Sequence, residues 1–403
     1  MKNQAASAVL SKGSKNAKSH NIRLLSQHEL DGFGNGGQIV VDRLGRRKFA
    51  FVGHMKGKAF TILDVSDPSE PEMVYQHDAY EGTLSHKVRV YKHRYLFLNC
   101  ERAREGDVKR FDSGFRVFDL KDVSSPREIA YANVDGRGVH RFWVDQEKEW
   151  ALLPSFVNGY EGRILLIYDI KDPAKPRQIS RWWYRGQKEN EKKSARWRAS
   201  GRNYRAHGPP IRVKNRIYLG YWDAGSLIMD STDPKKISIV SQTNLSPPYG
   251  GCTHTVLPVT REIVGRKWLV VTDESMAEYC QEGKKLLWIM DATEEKNVVP
   301  VATYSVPDDG FCEAGGKFGA HNVHEDTTLQ NDEIHASWFS AGVRVLDVSN
   351  PYRPNEVAHY IPSHDKKKQK VIQTNDLCID DRGLIYSIDR IAAGVHILER
   401  TDR

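Results

Sequence analysis

A strand that runs into an Asp-rich, proline-ended turn recurs along the whole chain, and this recurrence constrains the fold more than any other feature. The copies read FTILDVSDPSEP from Phe60, FRVFDLKDVSSP from Phe115, LLIYDIKDPAKP from Leu165 and VRVLDVSNPYRP from Val343, with looser versions from Leu227, Leu287 and Val395. Their anchoring acids are Asp64, Asp119, Asp169, Asp230, Asp291, Asp347 and Glu399, spaced 50 to 61 residues apart. A period near this size marks a propeller or a solenoid. Each copy opens on β-branched and aromatic residues, which suit a pleated strand, and ends where Asp, Ser and Pro cap and preset a turn.

Two more short apolar runs precede each copy, as in HKVRVYKHRYLFLNC from His86, and a fourth follows, as in EIAYANV from Glu128. Four short strands per repeat make a propeller blade. The last copy stops after its third strand, while a lone strand, IRLLSQHEL from Ile22, precedes the first complete set. That strand is expected to complete the last blade, which removes a free sheet edge. The expectation is therefore an all-β fold, a seven-bladed β-propeller in one domain over residues 21–403, behind a flexible basic tail at residues 1–20.

The Asp-Ser-Asp-Pro-x-x-Pro ends, with Gly-Phe-Arg-Val-Phe-Asp from Gly114 and Gly-Val-Arg-Val-Leu-Asp from Gly342, resemble the LVIVD-repeat proteins. The resemblance implies a β-propeller and little chemistry, because function lives in sites grafted on folds.

Composition narrows the classes. The chain has 403 residues, 39% of them hydrophobic, a mean hydropathy of −0.59, and no apolar run long enough for a transmembrane helix. The N-terminus lacks a hydrophobic signal core, so a cytoplasmic location is expected. Five cysteines with no CxxC pair give no disulfide framework and fit a reducing compartment. The net charge of +8 is local: residues 1–20, 186–205 and 365–370 carry +12 between them, leaving the rest near −4. Without a continuous basic face, nucleic acid is not an expected partner.

Five histidines fall at one repeat position, the start of the first strand: His86, His140, His207, His254 and His321, with Asp376 at the sixth place and Gly37 at the matching place in the first blade. With 15 histidines in the chain, five of seven matched positions arise by chance on the order of once in a million. In a propeller the innermost strand lines the axis, so these side chains are expected to converge there. The residues two further on, Val88, Phe142, Pro209, Val256, Val323 and Cys378, are expected to face the channel as an apolar plug. His324 is expected to point away from His321 by the same rule.

An imidazole-rich set suits Zn, Fe, Cu or Ni rather than Mg or Ca, and the expected cofactor is a divalent transition metal, Zn, Fe or Mn, with Cu as a further candidate. The links between second and third strands add Glu101, Glu274 and Asp389, candidate acceptors for ligand imidazole N–H groups or a general acid/base. Arg102, Arg198, Arg202, Arg205, Trp222, Trp338 and Arg390 are candidate contacts to a small anionic substrate, with the basic 186–206 insertion as an electropositive cover. The expected function is Lewis-acid hydrolysis, hydration or lyase chemistry at a His-held divalent metal. Two alternatives stand beside it: an iron or copper oxidoreductase or oxygenase at the same site, and a non-enzymatic interaction scaffold. The ring is similar in architecture to the His sites of carotenoid-cleaving oxygenases and selenium-binding-protein-like propellers, which is what brings redox chemistry into view.

Overall fold

A computed structural model describes residues 18–104, 108–193 and 204–403. They form successive antiparallel sheets of short strands, the architecture of a β-propeller. The first sheet holds Gln38–Leu44, Arg47–Gly53, Lys58–Asp64 and Glu72–Asp78 in sequence order. The next two repeats merge into one ten-stranded sheet where Gly138 pairs with Glu101. No described helix is long and apolar enough to cross a membrane.

The recurrent Asp does the same local work in each copy. Asp64 accepts from the amide of Ser66 at 2.8 Å, Asp119 from Lys121 at 2.9 Å, Asp230 from Thr232 at 2.8 Å and Asp347 from Ser349 at 2.8 Å. This Asx turn ends the strand by giving its next amide a side-chain acceptor. A register shift precedes each of these acids, for example between Val117 and Phe118 and between Val345 and Leu346. The shift is a β-bulge that twists the outer strand around its partner.

Ile22–His28 pairs antiparallel with Val395–Arg400, from Ile22 opposite Arg400 to His28 opposite Val395. These two strands share one sheet with Thr374–Ile379 and Ile385–Asp389. Lys18–His20, placed by sequence in the basic tail, instead pairs with the outer strand Asn355–Ile361 of the neighbouring sheet. Residues 1–17 lie outside the described part.

The core lies between sheets, and this corrects the expected apolar plug. Val88 packs with Phe51, Phe60, Leu98 and Phe118, while Phe142 packs with Phe97, Phe115, Leu153 and Leu166. Val256 and Val323 likewise belong to inter-sheet clusters. The period-two rule fails because the strand is interrupted where the histidines stand: residues 85–87 and 140–142 are not in strand.

The cysteines need a second correction. Cys280 and Cys312 form a disulfide, with Cα atoms 5.3 Å apart. They lie 32 residues apart in the sequence, and no spacing rule pairs them. The fold brings their loops together, as the Tyr279 amide donating to the Gly316 carbonyl at 3.2 Å shows. Cys100, Cys252 and Cys378 are free thiols.

Candidate metal centre

Each histidine is fixed by its backbone before its side chain does anything. The amide of His140 donates to the Pro154 carbonyl at 2.9 Å, that of His207 to Gly220 at 3.0 Å and that of His321 to Ser337 at 3.1 Å. Gly37 makes the same bond to Gly53 at 2.8 Å, so it holds the equivalent place in the first repeat. A Cβ there would meet Cβ of His86 at 2.7 Å, and only glycine fits.

The five imidazoles form one contiguous buried arc. Ring centroids step from His86 to His140 by 5.0 Å, to His207 by 5.0 Å, to His254 by 4.6 Å and to His321 by 4.5 Å. Burial first, then neighbouring imidazoles and cations, pushes all five well below the usual histidine range, so the arc is neutral.

Asp376 is not the sixth member, because Asn375 takes that place. A bulge between Thr374 and Asp376 shifts the register, as a bulge between Thr253 and Thr255 does around His254. The Asn375 carbonyl accepts from Nδ1 of His321 at 2.6 Å. Asp376 accepts instead from the Ile39 amide at 3.2 Å and feels the charge of the buried Lys87 ammonium, which donates to the Gly37 carbonyl at 2.7 Å. Burial drives Asp376 up and Lys87 down, and each charge partly holds the other.

The hydrogen bonds divide the imidazoles by role. Nδ1 of His140 donates to Oε2 of Glu101 at 2.6 Å and Nδ1 of His321 donates to a carbonyl, so both rings keep an unprotonated Nε2. A buried carboxylate or carbonyl behind the distal nitrogen is what a metal-bound histidine requires. His207 is the reverse case. Arg163 donates to its Nδ1, so its Nε2–H donates to Oε2 of Glu274 at 2.8 Å. His254 donates from Nδ1 to the Thr255 hydroxyl at 2.7 Å and turns Nε2 toward Arg141 at 3.4 Å.

Two sets of three side chains bring ligand atoms within 4.8 Å of one another: His86, Glu101 and His140, and His207, His254 and Glu274. In the second, Nε2 of His207 already carries the proton that Glu274 accepts. The first set is therefore the better start of a metal site.

The arc opens into a cavity of about 290 Å³. Glu101 and Glu274 line it together with Lys87, Arg104, Arg137, Arg163, Arg205 and Arg390. Met55, Phe156, Trp222 and Met276 supply apolar wall. Burial alone would raise Glu274, but the Lys317 ammonium and the hydrogen bond from His207 hold it well below the carboxylate range. Oε1 of Glu274 lies 3.5 Å from Nζ of Lys317 and 3.6 Å from Nε2 of His321.

A charged layer replaces the expected plug. Arg141 donates to Asn322 at 2.7 Å and to Glu325 at 2.7 Å, and Arg89 pairs with the other oxygen of Glu325. The residue following four of the five histidines carries the signal that sequence reading missed: Lys87, Arg141, Thr255 and Asn322 are all polar and buried.

The remaining candidates scatter. Asp389 caps its own loop, accepting from the amides of Ile391 at 2.8 Å and Ala392 at 2.9 Å. Arg102 donates to the Val108 carbonyl at 3.2 Å and does not line the cavity. Trp338 is buried in an inter-sheet cluster, and its neighbour Phe339 stacks on His321 at 4.5 Å. Arg205, Trp222 and Arg390 line the cavity, whereas Arg198 and Arg202 lie outside the described residues. His324 borders a separate cavity with His335 and Asp326.

The LVIVD repeat matches residues 47–78 and 338–361, so the chain carries LVIVD repeats. No curated protein matches it by sequence. Among solved structures it is similar to the WD40 repeats of Rrp9, with a TM-score of 0.59 at 9% identity over 97% of this chain and 99% of that one. A hypothetical selenium-binding protein from Sulfolobus tokodaii matches with a TM-score of 0.54 at 13% identity over 84% and 80%. The periplasmic gluconolactonase of Pseudomonas aeruginosa matches with a TM-score of 0.58 at 9% identity over 87% and 99%. At these identities the likeness concerns the propeller fold.

Proposed function

We propose that this chain is a metal-dependent enzyme in which the histidine arc holds one divalent transition metal and the cationic cavity beside it seats a small organic anion. The carrying observation is the pair of rings, His140 and His321, whose Nδ1 protons are anchored and whose Nε2 atoms are unprotonated within a contiguous imidazole arc. Neutral imidazoles with few carboxylates fit Zn, Fe, Mn or Cu. When bound, such an ion supplies Lewis acidity to a carbonyl or to water.

The chain's own residues do the rest. Arg205 and Arg390 bind and orient the anion, Glu101 fixes His140, and His207 carries on Nε2 a proton that Glu274 accepts. This set favours hydrolytic, hydratase or lyase chemistry. A gluconolactonase on the same scaffold places ester hydrolysis among the reactions this fold carries, by analogy only. The second reading, an iron or copper oxidoreductase, draws on the predominance of imidazole over carboxylate in the arc.

The same proposal takes the propeller as seven blades closed by the pairing of Ile22–His28 with Val395–Arg400. It takes an oxidising compartment over the cytoplasm, because Cys280 and Cys312 are bridged. Metal analysis of protein purified without a His tag tests the central claim. About one equivalent of Zn, Fe, Mn or Cu is expected, with most of it lost in His140→Ala and in His321→Ala. Trace metal only would sink the metalloenzyme reading in favour of a scaffold, and a visible or paramagnetic iron or copper signal would select the redox reading.

A further inference from the structure

We propose that the cavity is built for a dianion, a small molecule with carboxylate-type groups at two separated positions; this rests on reading the cavity as the seat of an organic anion. Two stacks, each an aromatic ring between an imidazole and a cation, stand at different points of the arc. In the first, the Trp222 ring lies edge-on to His207 at 4.4 Å and the Arg205 guanidinium sits 4.6 Å over Trp222. In the second, Phe339 lies flat on His321 at 4.5 Å, with the Lys317 ammonium, itself facing Glu274, 5.3 Å and the Arg390 guanidinium 5.7 Å from the Phe339 ring. His254 stands between the stacks, one ring step from each.

The two aromatics hold the same repeat position. Trp222 bridges to Thr253 and Phe339 to Thr374, the residues that begin the two bulges. Both have left-handed backbone, φ +52° and +41°. Bulky residues rarely adopt this conformation, and it persists where the surrounding structure holds it, often at functional sites. The strain appears in both repeats, and in both it sets a ring between an imidazole of the arc and a cation.

Neither cation is ion-paired among the described residues, although Asp223 and Glu274 act on Arg205 and Glu274 and Asp389 on Arg390 from a distance. Among the described residues no carboxylate lies within salt-bridge distance of Arg205 or Arg390, and Nε of Arg205 is buried without a hydrogen-bond partner. The cavity's own carboxylates are engaged elsewhere, Glu101 by His140 and Glu274 by His207 and Lys317. Unpaired charges out of water are costly. One negative group at each guanidinium would satisfy both, whereas a monoanion leaves one of them unmatched.

Calorimetric titration with succinate and with butyrate, four-carbon acids differing in charge, tests this on the protein as purified and again after chelator treatment. Succinate is expected to bind at least about tenfold tighter than butyrate in both preparations, the scale of one charge-assisted contact. Arg205→Gln and Arg390→Gln should each bring the ratio of succinate to butyrate affinity close to one, and Arg205→Lys and Arg390→Lys should retain most of it. Equal affinities, absence of binding, or an effect in only one of the two Gln variants would overturn the proposal. A preference present only with metal bound would also overturn it, because the metal would then be chelating the diacid. Retained preference in a protein that takes up no metal would sink the metal reading and leave the dianion clamp standing.

Discussion

Oε2 of Glu101 lies 2.6 Å from Nδ1 of His140, so a carboxylate at the end of strand Tyr95–Arg102 orients an imidazole from the following repeat. The contact joins two repeats at the point where Gly138 pairs with Glu101. Replacing the carboxylate leaves the ring but loosens its hold. Glu101→Gln is expected to lower metal affinity by about 10- to 100-fold, the usual effect of removing a partner behind a ligand histidine. Competition with a chromophoric chelator measures it, and unchanged affinity would show that Glu101 does not orient a ligand.

Glu325 is held by the buried Arg141 and the half-buried Arg89. Removing the single acid strands both cations in the interior. Glu325→Leu is therefore expected to cost about 3–5 kcal/mol in urea unfolding. A loss under 1 kcal/mol would mean that water reaches the channel and screens the arginines.

The arc makes stability depend on pH with a definite sign. Folding holds all five imidazoles well below their usual range, while in the unfolded chain they titrate near pH 6.5. Below about pH 6.5 the unfolded state binds protons that the folded state refuses. Stability is thus intact above that value and falls as pH drops beneath it, by about 1.4 kcal/mol per pH unit for each histidine. Asp273, raised by burial to about 6, and Asp376, also raised by burial, work the other way but are outnumbered by the five histidines. Urea midpoints at pH 7.5 and pH 5.5 check the sign, and equal midpoints would show that the arc protonates without unfolding.

The Cys280–Cys312 bridge closes a loop across 32 residues. Reduction is expected to lower stability by about 2–4 kcal/mol on loop-closure grounds. Thermal melts with and without reductant measure this. A reduced protein that melts at the same temperature would show that packing alone holds the two loops.

The repeat made the propeller legible, because Asp, Ser and Pro at a fixed place act through local hydrogen bonds that need no distant partner. It also made the five histidines legible, since a repeated fold sends equivalent positions to equivalent places. The sequence could not show that Asn375 rather than Asp376 follows His321, or that Phe339 rather than Trp338 faces the arc. Each depends on a one-residue irregularity, a bulge or a left-handed turn, that inverts the direction of a side chain and leaves no compositional mark. The buried charges of Lys87, Arg141 and Arg163 were equally hidden: their partners Asp376, Glu325 and His207 come from other repeats, and only the closing together of distant strands decides that a charged side chain points inward and is matched there.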